Sequence, residues 1–484
     1  MGLYIRCKET SVVKSIVFVS PPLTLRERYG VDRQSGGETT PLGLAFLAGV
    51  TRHEGYETHI VDSEILGLTP EGACDAIMSY KPDVVGFTAV TISVHNAATV
   101  ARLITNIDKK VITLLGGHHI SAVPRETMNL FPEFDIGVLG EGEVTIVELL
   151  DALKSGGSLK DVKGLILREG DDFLLTGKRD RLKELDSLPL PAWDLLPKIS
   201  EHYCPPVHTV KKLPAATLVT SRGCPGRCVF CARIVYENKG TYFSAGRVME
   251  MVNDFYYNYG IREIQFRDDN FTVFRKRLLE LCKKLKEANL DLAWSSTGRV
   301  DTVTPEVLKA MKEAGCWQIW FGIESGSQRI LDLVKKGTTI KGIKDAIKWT
   351  REAGINPCGF FIIGHPGETK ESIQETINFA VDLDLAECHA TFMTPFPGSD
   401  LYLTAEKYGS FENDWKKLNG WTPMFVPYGL TKEELKYYSN HLYKRFFFRP
   451  KVIISYLFKI RSRKHLAFYL QGFWALLSFL RKKE

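Results

Sequence analysis

The sequence predicts an α/β protein: a doubly wound N-terminal domain, then a partial (β/α)6 barrel, then a C-terminal helical segment. Three observations carry this expectation. At 484 residues the chain exceeds one ordinary domain. Short β-branched runs alternate with helix-length segments in two separate series. A cysteine-rich stretch, Ser221-Arg-Gly-Cys-Pro-Gly-Arg-Cys-Val-Phe-Cys-Ala232, follows the first run of the second series. The expected divisions are residues 1–150, a connector over 151–210, the barrel over 211–405, and a basic, aromatic helical region over 406–484.

In the first series the runs are Ile16–Ser20, Thr58–Val61, Val84–Thr88, Val111–Leu115 and Ile136–Leu139. Continuous apolar runs of this length read as a parallel sheet covered on both faces. Ligands of such folds bind at the carboxyl ends of the strands. Glycines and small polar residues gather there: Pro21-Pro22 with Ser35-Gly-Gly37, Thr88 to Ser93, Gly116-Gly-His-His119 and Gly140-Glu-Gly-Glu143. None is the dinucleotide fingerprint after a first strand, so a nucleotide site is not indicated. The connector holds a flexible Lys154-Ser-Gly-Gly-Ser158 and a small hairpin from Gly164–Arg168 and Asp172–Leu175. The stiff, extended Leu188-Pro-Leu-Pro-Ala-Trp193 completes a spacer between domains.

The second series runs Ala216–Thr220, Ile261–Arg267, Leu292–Ser296, Trp317–Ile323, Cys358–Ile363 and His389–Met393. Six such units suit a partial barrel with function at the carboxyl ends. Motifs fall at those ends: Arg267-Asp-Asp-Asn-Phe271, Thr297-Gly-Arg-Val-Asp301, Gly322-Ile-Glu-Ser-Gly326, Gly364-His-Pro-Gly-Glu368 and Thr394-Pro-Phe-Pro-Gly398. The first run leads instead into Cys224, Cys228 and Cys231, a C-x3-C-x2-C array. Three thiolates this close can ligate three irons of a [4Fe–4S] cube, leaving the fourth iron open to a small molecule. A zinc site or a structural cysteine cluster competes with that reading. Zinc takes four ligands in recognisable pairs, and no second C-x2-C is present.

The other seven of the ten cysteines are scattered singly, which is no disulfide framework and points to a reducing cytoplasm. Met1 to Thr10 has no secretory apolar core. Apolar residues make up 44% and charged residues 25%, as in ordinary globular proteins. From Lys444 to Glu484 eleven Lys or Arg face one acid; that +10, against +6 for the whole chain, leaves the first 443 residues at −4. An acidic body argues against nucleic acid as partner. Thr431-Lys-Glu-Glu434 is a capping box. Arg445–Pro450, Val452–Ile460 and Leu466–Leu480 mix apolar, aromatic and basic residues, and Leu466–Leu480 is shorter than the ~20 residues of a membrane span. Helices packed on the barrel, or a peripheral contact with the inner membrane face, fit this tail.

The cysteine spacing, with Phe230 before the third cysteine, resembles the signature of the radical S-adenosylmethionine (radical SAM) enzymes. The order Pro41-Leu-Gly-Leu-Ala-Phe-Leu-Ala48, Gly116-Gly-His-His-Ile-Ser121 and Gly140-Glu-Gly-Glu143 looks like the Rossmann-like cobalamin-binding domain that precedes many of them. The resemblance implies a [4Fe–4S] cluster, SAM cleaved to a 5′-deoxyadenosyl radical, and cobalamin. It implies SAM contacts from Phe230, an ammonium acceptor at Asp268 or Asp269, and a carboxylate partner in Arg299. Glu324 and Ser325 would hold the ribose, and the backbone at Gly364, Pro366 and Gly367 would read adenine. Cobalamin contacts would come from Thr88, Thr91, Gly116, Gly117, His119, Gly140, Glu141, Gly142 and Glu143. One departure stands out: no histidine occurs between Val17 and Thr51, where the wider cobalamin family carries its cobalt ligand in D-x-H-x-x-G. Asp62 to Gly67 has the outer letters only, by chance. Cobalamin would therefore bind base-off without a histidine lower ligand. A Rossmann-like domain without the cofactor is the plainer alternative. Methylation of an unactivated carbon is the expected activity, with radical cyclisation, rearrangement or C–C coupling of a lipid, isoprenoid or tetrapyrrole substrate as runner-up. A non-catalytic cobalamin sensor is a remote third. The expected partners are a small, hydrophobic substrate and an electron donor such as flavodoxin or ferredoxin.

Overall fold

The computed structural model describes residues 13–30, 40–203, 205 and 209–459. The segments around Ser35-Gly-Gly37 and Leu466–Leu480 lie outside the described residues.

Seven strands form the N-terminal sheet: β1 (Ser15–Ser20), β2 (Glu57–Asp62), β3 (Val84–Thr88), β4 (Ile112–Gly116), β5 (Ile136–Val138), β6 (Leu165–Glu169) and β7 (Asp172–Leu175), in the order β2-β1-β3-β4-β5-β6-β7. The first five are parallel. Both faces are apolar because both are covered: Ile16 and Phe18 enter one core, Val17 and Val19 another. The expected hairpin is present, but it is no spacer. β6 pairs antiparallel with β5 and extends the sheet. Leu165, Ile166 and Leu167 are fully buried, and only the sheet edge offers them both cover and backbone partners. The proline-rich stretch does set one domain on the other: Ala192 N donates to Ala45 O at 2.9 Å, and Trp193 is buried against Phe255, ring centroids 4.7 Å apart.

After β8 (Ala215–Leu218), a short antiparallel pair, β9 (Ser221–Arg222) and β10 (Thr241–Tyr242), closes the base of the cysteine loop. β11 (Glu263–Phe266), β12 (Ala293–Gly298), β13 (Cys316–Glu324), β14 (Asn356–Ile363) and β15 (Glu387–Phe392) then join β8 in a six-stranded parallel sheet. Its order, β15-β14-β13-β12-β11-β8, has each strand beside its predecessor, the topology of a half-barrel. Helices Ala245–Asn258, Arg275–Ala288, Pro305–Glu313, Ile340–Glu352 and Lys370–Asp382 cover the outer face. Thr304, Thr339 and Thr369 start three of them by accepting a backbone N–H from the third residue on. The two domains share one core, in which Phe46 stacks on Phe243 at 5.5 Å.

The C-terminal region is not wholly helical. β16 (Gly409–Phe411) and β17 (Phe425–Pro427) form a hairpin before the helix Lys432–Phe447, whose capping box at Thr431 is present. Tyr443 Oη both accepts from Ala390 N and donates to Ala390 O, at 3.0 Å each, and so covers the open edge of β15. Phe446 is fully buried. Helix Pro450–Lys459 leaves Ile453 and Ile454 exposed, with Phe448 just before it.

Candidate active site

Gly223 opens the cysteine loop with φ +82, and a Cβ there would lie 2.2 Å from the Lys239 carbonyl oxygen, so only glycine fits. Its N–H donates to Asp269 Oδ2 at 2.7 Å. Within the loop Gly226 N donates to Cys224 Sγ at 3.4 Å, Cys231 N to Cys228 O at 3.2 Å, and Val229 N to Val334 O at 3.0 Å. Desolvation, then the negative charge of Cys228, Asp269 and Cys224, pushes the Cys231 thiol up to about 11. A cationic centre held in this loop would favour the thiolate form. Among the described residues no three His, Cys, Asp or Glu side chains stand together as ligands of a single ion. An iron–sulfur cube does not require that, because each of its irons takes its own thiolate.

The strand-end motifs converge on this loop. Arg299 brings Nη1 to 3.8 Å from Cys228 Sγ; it donates to both carboxylate oxygens of Asp301 and, from Nη2, to Lys336 O at 2.7 Å. Glu324, at φ +67, forms an ion pair with Lys336 Nζ at 2.7 Å. His365 lies edge-on to Phe230, ring centroids 6.0 Å apart, with Nε2 3.4 Å from Glu324 O. Gly364 N and His365 N both donate to Glu368 Oε2, at 2.6 and 3.0 Å. Burial pushes the Glu368 carboxyl up to about 8. Ser325 is committed to Thr376 Oγ1 at 3.0 Å and to Ser327 N at 3.1 Å.

The two aspartates separate. Asp268 is buried and accepts from Thr220 N (2.7 Å), Thr220 Oγ1 (2.8 Å) and Ser221 Oγ (2.5 Å), tying the end of β8 to the end of β11. Asp269 is exposed beside the cysteines. Sequence reasoning could not tell which of the pair faced the loop, since adjacent residues differ only by the turn between them.

The N-terminal strand ends face the same loop. Gly117, at φ +101, turns so tightly that a Cβ would sit 2.9 Å from Ala89 O. Thr91 Oγ1 lies 3.2 Å from His119 Nδ1, and His119 Nε2 is buried without a partner. Burial, with a smaller contribution from His95, pushes His119 down to about 3, so the ring is neutral. Trp415 packs edge-on against it at 4.4 Å. Glu141 and Glu143 are not free. Arg222 Nη1 donates to Glu141 Oε1 at 2.8 Å and Nη2 to Glu143 Oε1 at 2.5 Å, all three side chains being buried. That latch joins the N-terminal domain to the residue two before Cys224. Its one sequence signal was an arginine flanking the cysteine motif. Lys336 had none. Asp62 and Glu64 hold Tyr203 and Arg28, which fits a chance match at that hexapeptide.

A cysteine loop on a half-barrel, facing the strand ends of a doubly wound domain, defines the class of cobalamin-binding radical SAM enzymes. The family model described as "Radical SAM superfamily" matches residues 218–380, and that described as "B12 binding domain" matches residues 30–150. The chain is 36% identical over 453 residues to the uncharacterized methyltransferase PH0819 of Pyrococcus horikoshii, spanning 92% of this chain and 95% of that one. It belongs to that family of enzymes, whose cofactors are a [4Fe–4S] cluster, SAM and cobalamin. It is also 27% identical to the anaerobic magnesium-protoporphyrin IX monomethyl ester cyclase of Cereibacter sphaeroides (91% of this chain, 71% of that one). To the cytidylyl-2-hydroxyethylphosphonate methyltransferase of Streptomyces wedmorensis it is 29% identical (81% and 82%). The cobalamin-dependent radical enzyme OxsB shares the fold with a TM-score of 0.75 at 18% identity, over 97% of this chain and 72% of that one. Among the described residues no helix is long and apolar enough to cross a membrane.

Proposed function

We propose that this enzyme methylates an unactivated carbon of a small organic substrate held between the two domains. The observation that carries the reading is the Arg222 latch, because it fixes the cluster loop against the strand ends of the cobalamin-type domain. When bound, the cluster, SAM and cobalamin supply a substrate-carbon radical and the methyl group it takes up. The protein's part is to bind, orient and keep water out. Cys224, Cys228 and Cys231 would ligate iron. Asp269 and the Nη1 end of Arg299 would take the amino and carboxylate groups of SAM, with Asp268 positioning the strand ends. Phe230, Glu324, Ser325 and the backbone of Gly364, Pro366 and Gly367 would border its nucleoside. Thr88, Thr91, Gly116, Gly117, His119, Gly140 and Gly142 would cradle a base-off cobalamin, while Glu141 and Glu143 act through Arg222. The unpartnered His119 Nε2 and the Cβ-free Gly116-Gly117 turn fit such a polar, close-lying group.

The likeness to the cyclase favours a second reading, radical cyclisation without methyl transfer. Anaerobic reconstitution with iron, sulfide, cobalamin, dithionite and excess SAM, with a small-molecule cell extract added as the source of substrate, separates the two. Methyl transfer yields S-adenosylhomocysteine as well as 5′-deoxyadenosine; 5′-deoxyadenosine alone would favour cyclisation, and neither product would defeat both. A flavodoxin or ferredoxin would supply the electron in the cell. The basic C-terminal region, with Phe448, Ile453 and Ile454 exposed near Lys451, would touch an anionic membrane surface. Cosedimentation with anionic but not neutral vesicles tests that contact.

A further inference from the structure

The inner face of the half-barrel carries a positive charge that no carboxylate among the described residues pairs with. Strand register puts Thr217, Gln265, Ser295 and Gln318 side by side on that face. Arg267 follows Gln265 by two residues, so it belongs to the same face at the open end of the strands. It is partly buried, and its guanidinium donates from Nη2 to Gln265 Oε1. Arg222, Arg299 and Lys336, other cations around the strand ends, each hold a carboxylate. Among the described residues Arg267 pairs with none. The carboxylate whose charge it feels is Glu263, which already accepts from Lys211 N, Lys212 N and Trp317 Nε1.

A guanidinium does not escape this position by losing its proton, and its planar fork of donors suits a two-oxygen anion. Partly shielded from water and with no carboxylate beside it among the described residues, it is a costly charge to hold, and an anion entering the barrel lowers that cost. Nearby on the same face lies an aromatic layer, with Phe360 and His389 partly exposed and Trp320 buried beside them. Trp320 stacks on Phe360 with centroids 4.8 Å apart, and Phe360 meets His389 edge-on at 5.8 Å. Neither Trp320 nor Phe360 enters the core that the outer helices fill. The face also keeps Gln318 Nε2 buried without a partner.

We propose that Arg267 anchors an anionic group of the substrate, a carboxylate, phosphate or phosphonate, while the substrate's planar or apolar part lies against Trp320 and Phe360. This deepens the proposed function, on which it rests for placing a substrate inside the half-barrel. Arg267 is then a specificity-determining residue, and neutral molecules of the same shape are rejected because they leave its charge unpaired.

The test uses anaerobically reconstituted protein loaded with cluster, cobalamin and SAM, and calorimetric titration of four probes. These are 1-naphthylacetate with its neutral isostere 1-naphthylacetamide, and 1-naphthyl phosphate with 1-naphthol. Wild type should take each anion at least about tenfold tighter than its neutral partner, a difference of about 1.4 kcal/mol. Whichever anion gains more identifies the carboxylate or phospho source. Arg267→Gln should erase the preference, and Arg267→Lys should restore part of it, while SAM affinity in both stays within about twofold of wild type. The assignment is overturned if wild type takes anion and neutral partner equally or binds neither. It is also overturned if Arg267→Gln keeps the preference, or if that variant loses SAM, which would give the cation to the SAM carboxylate. Formation of 5′-deoxyadenosine is scored separately: its absence in wild type counts against the proposed function, whereas probe selectivity alone decides the role of Arg267.

Discussion

The two sheets of this molecule are both parallel in their central strands, yet they treat their faces differently. In the N-terminal sheet successive residues of β1, Ile16 to Val19, enter apolar cores on alternate sides. In the half-barrel the large core takes the outer face, through Ile264, Phe266 and Trp294, while at the inner face Ile362 meets only a small cluster around Met393 and Phe425. The inner face is Thr217, Gln265, Ser295, Gln318 and Trp320. A sheet buried on both sides gains stability from both. One whose inner face is polar gains less from apolar burial and must satisfy those polar groups by hydrogen bonds, as Gln265 does with Thr209. The strand-end acids divide too. In the N-terminal domain Glu141 and Glu143 are consumed by Arg222 as domain glue, whereas Asp269 on the barrel remains exposed beside the cysteines.

The largest effect expected is on the barrel side. Cys228→Ala should abolish the cluster's visible absorbance after reconstitution and reduce 5′-deoxyadenosine to background; persistence of both would break the assignment of the loop. The N-terminal side should instead respond in stability. Arg222→Met strands two buried carboxylates, and removing one member of a buried pair costs about 3–5 kcal/mol. Replacing all three residues, with Met at 222 and Gln at 141 and 143, should cost less than the single change. Thermal unfolding decides, and a single variant no less stable than wild type would show that the latch carries no load.

A pH experiment sharpens the contrast within the barrel. Burial raises the Glu368 carboxyl from 4.5 to about 8, so the folded chain holds its proton while the unfolded chain releases it. The contribution of this group to stability is therefore complete below pH 4.5 and is lost as pH rises towards 8. Glu368→Gln keeps an acceptor for Gly364 N and His365 N but does not titrate. Its stability should gain on wild type between about pH 5 and about pH 8, by roughly 3 kcal/mol, read as a rise in relative melting temperature. A constant difference across that range would mean that Glu368 is ionised in the fold. The smallest effect belongs to the exposed Lys348–Glu352 pair at 3.8 Å. Lys348→Ala should change stability by no more than about 0.5 kcal/mol in chemical denaturation, since such pairs are solvated and screened. A larger loss would show that the outer helices depend on surface charge and not on their buried stripes.

The central strands and the helix start at Thr431 were legible in sequence because they depend on local chemistry: β-branched runs and a threonine cap; the short pairs β9–β10 and β16–β17 were not. The cysteine loop, whose three cysteines lie within eight residues, was legible too. The hairpin over 165–175 was legible as a hairpin, but its docking on β5 was not, because edge pairing is a contact between distant backbones. The same limit hid the partners of Glu141 and Glu143, which read equally well as ligand contacts until Arg222 came within 2.8 Å. Asp268 and Asp269 show it most sharply: one letter twice, made into a strand tie and an exposed acceptor by a single turn of chain. By itself the sequence determined the order of domains, the cysteine array and the class of chemistry, since each is written in local periodicity or spacing. Only the tertiary structure decided which charges cancel one another and which, like Arg267, have no carboxylate partner among the described residues, because charge pairing depends on distances between segments far apart in the chain.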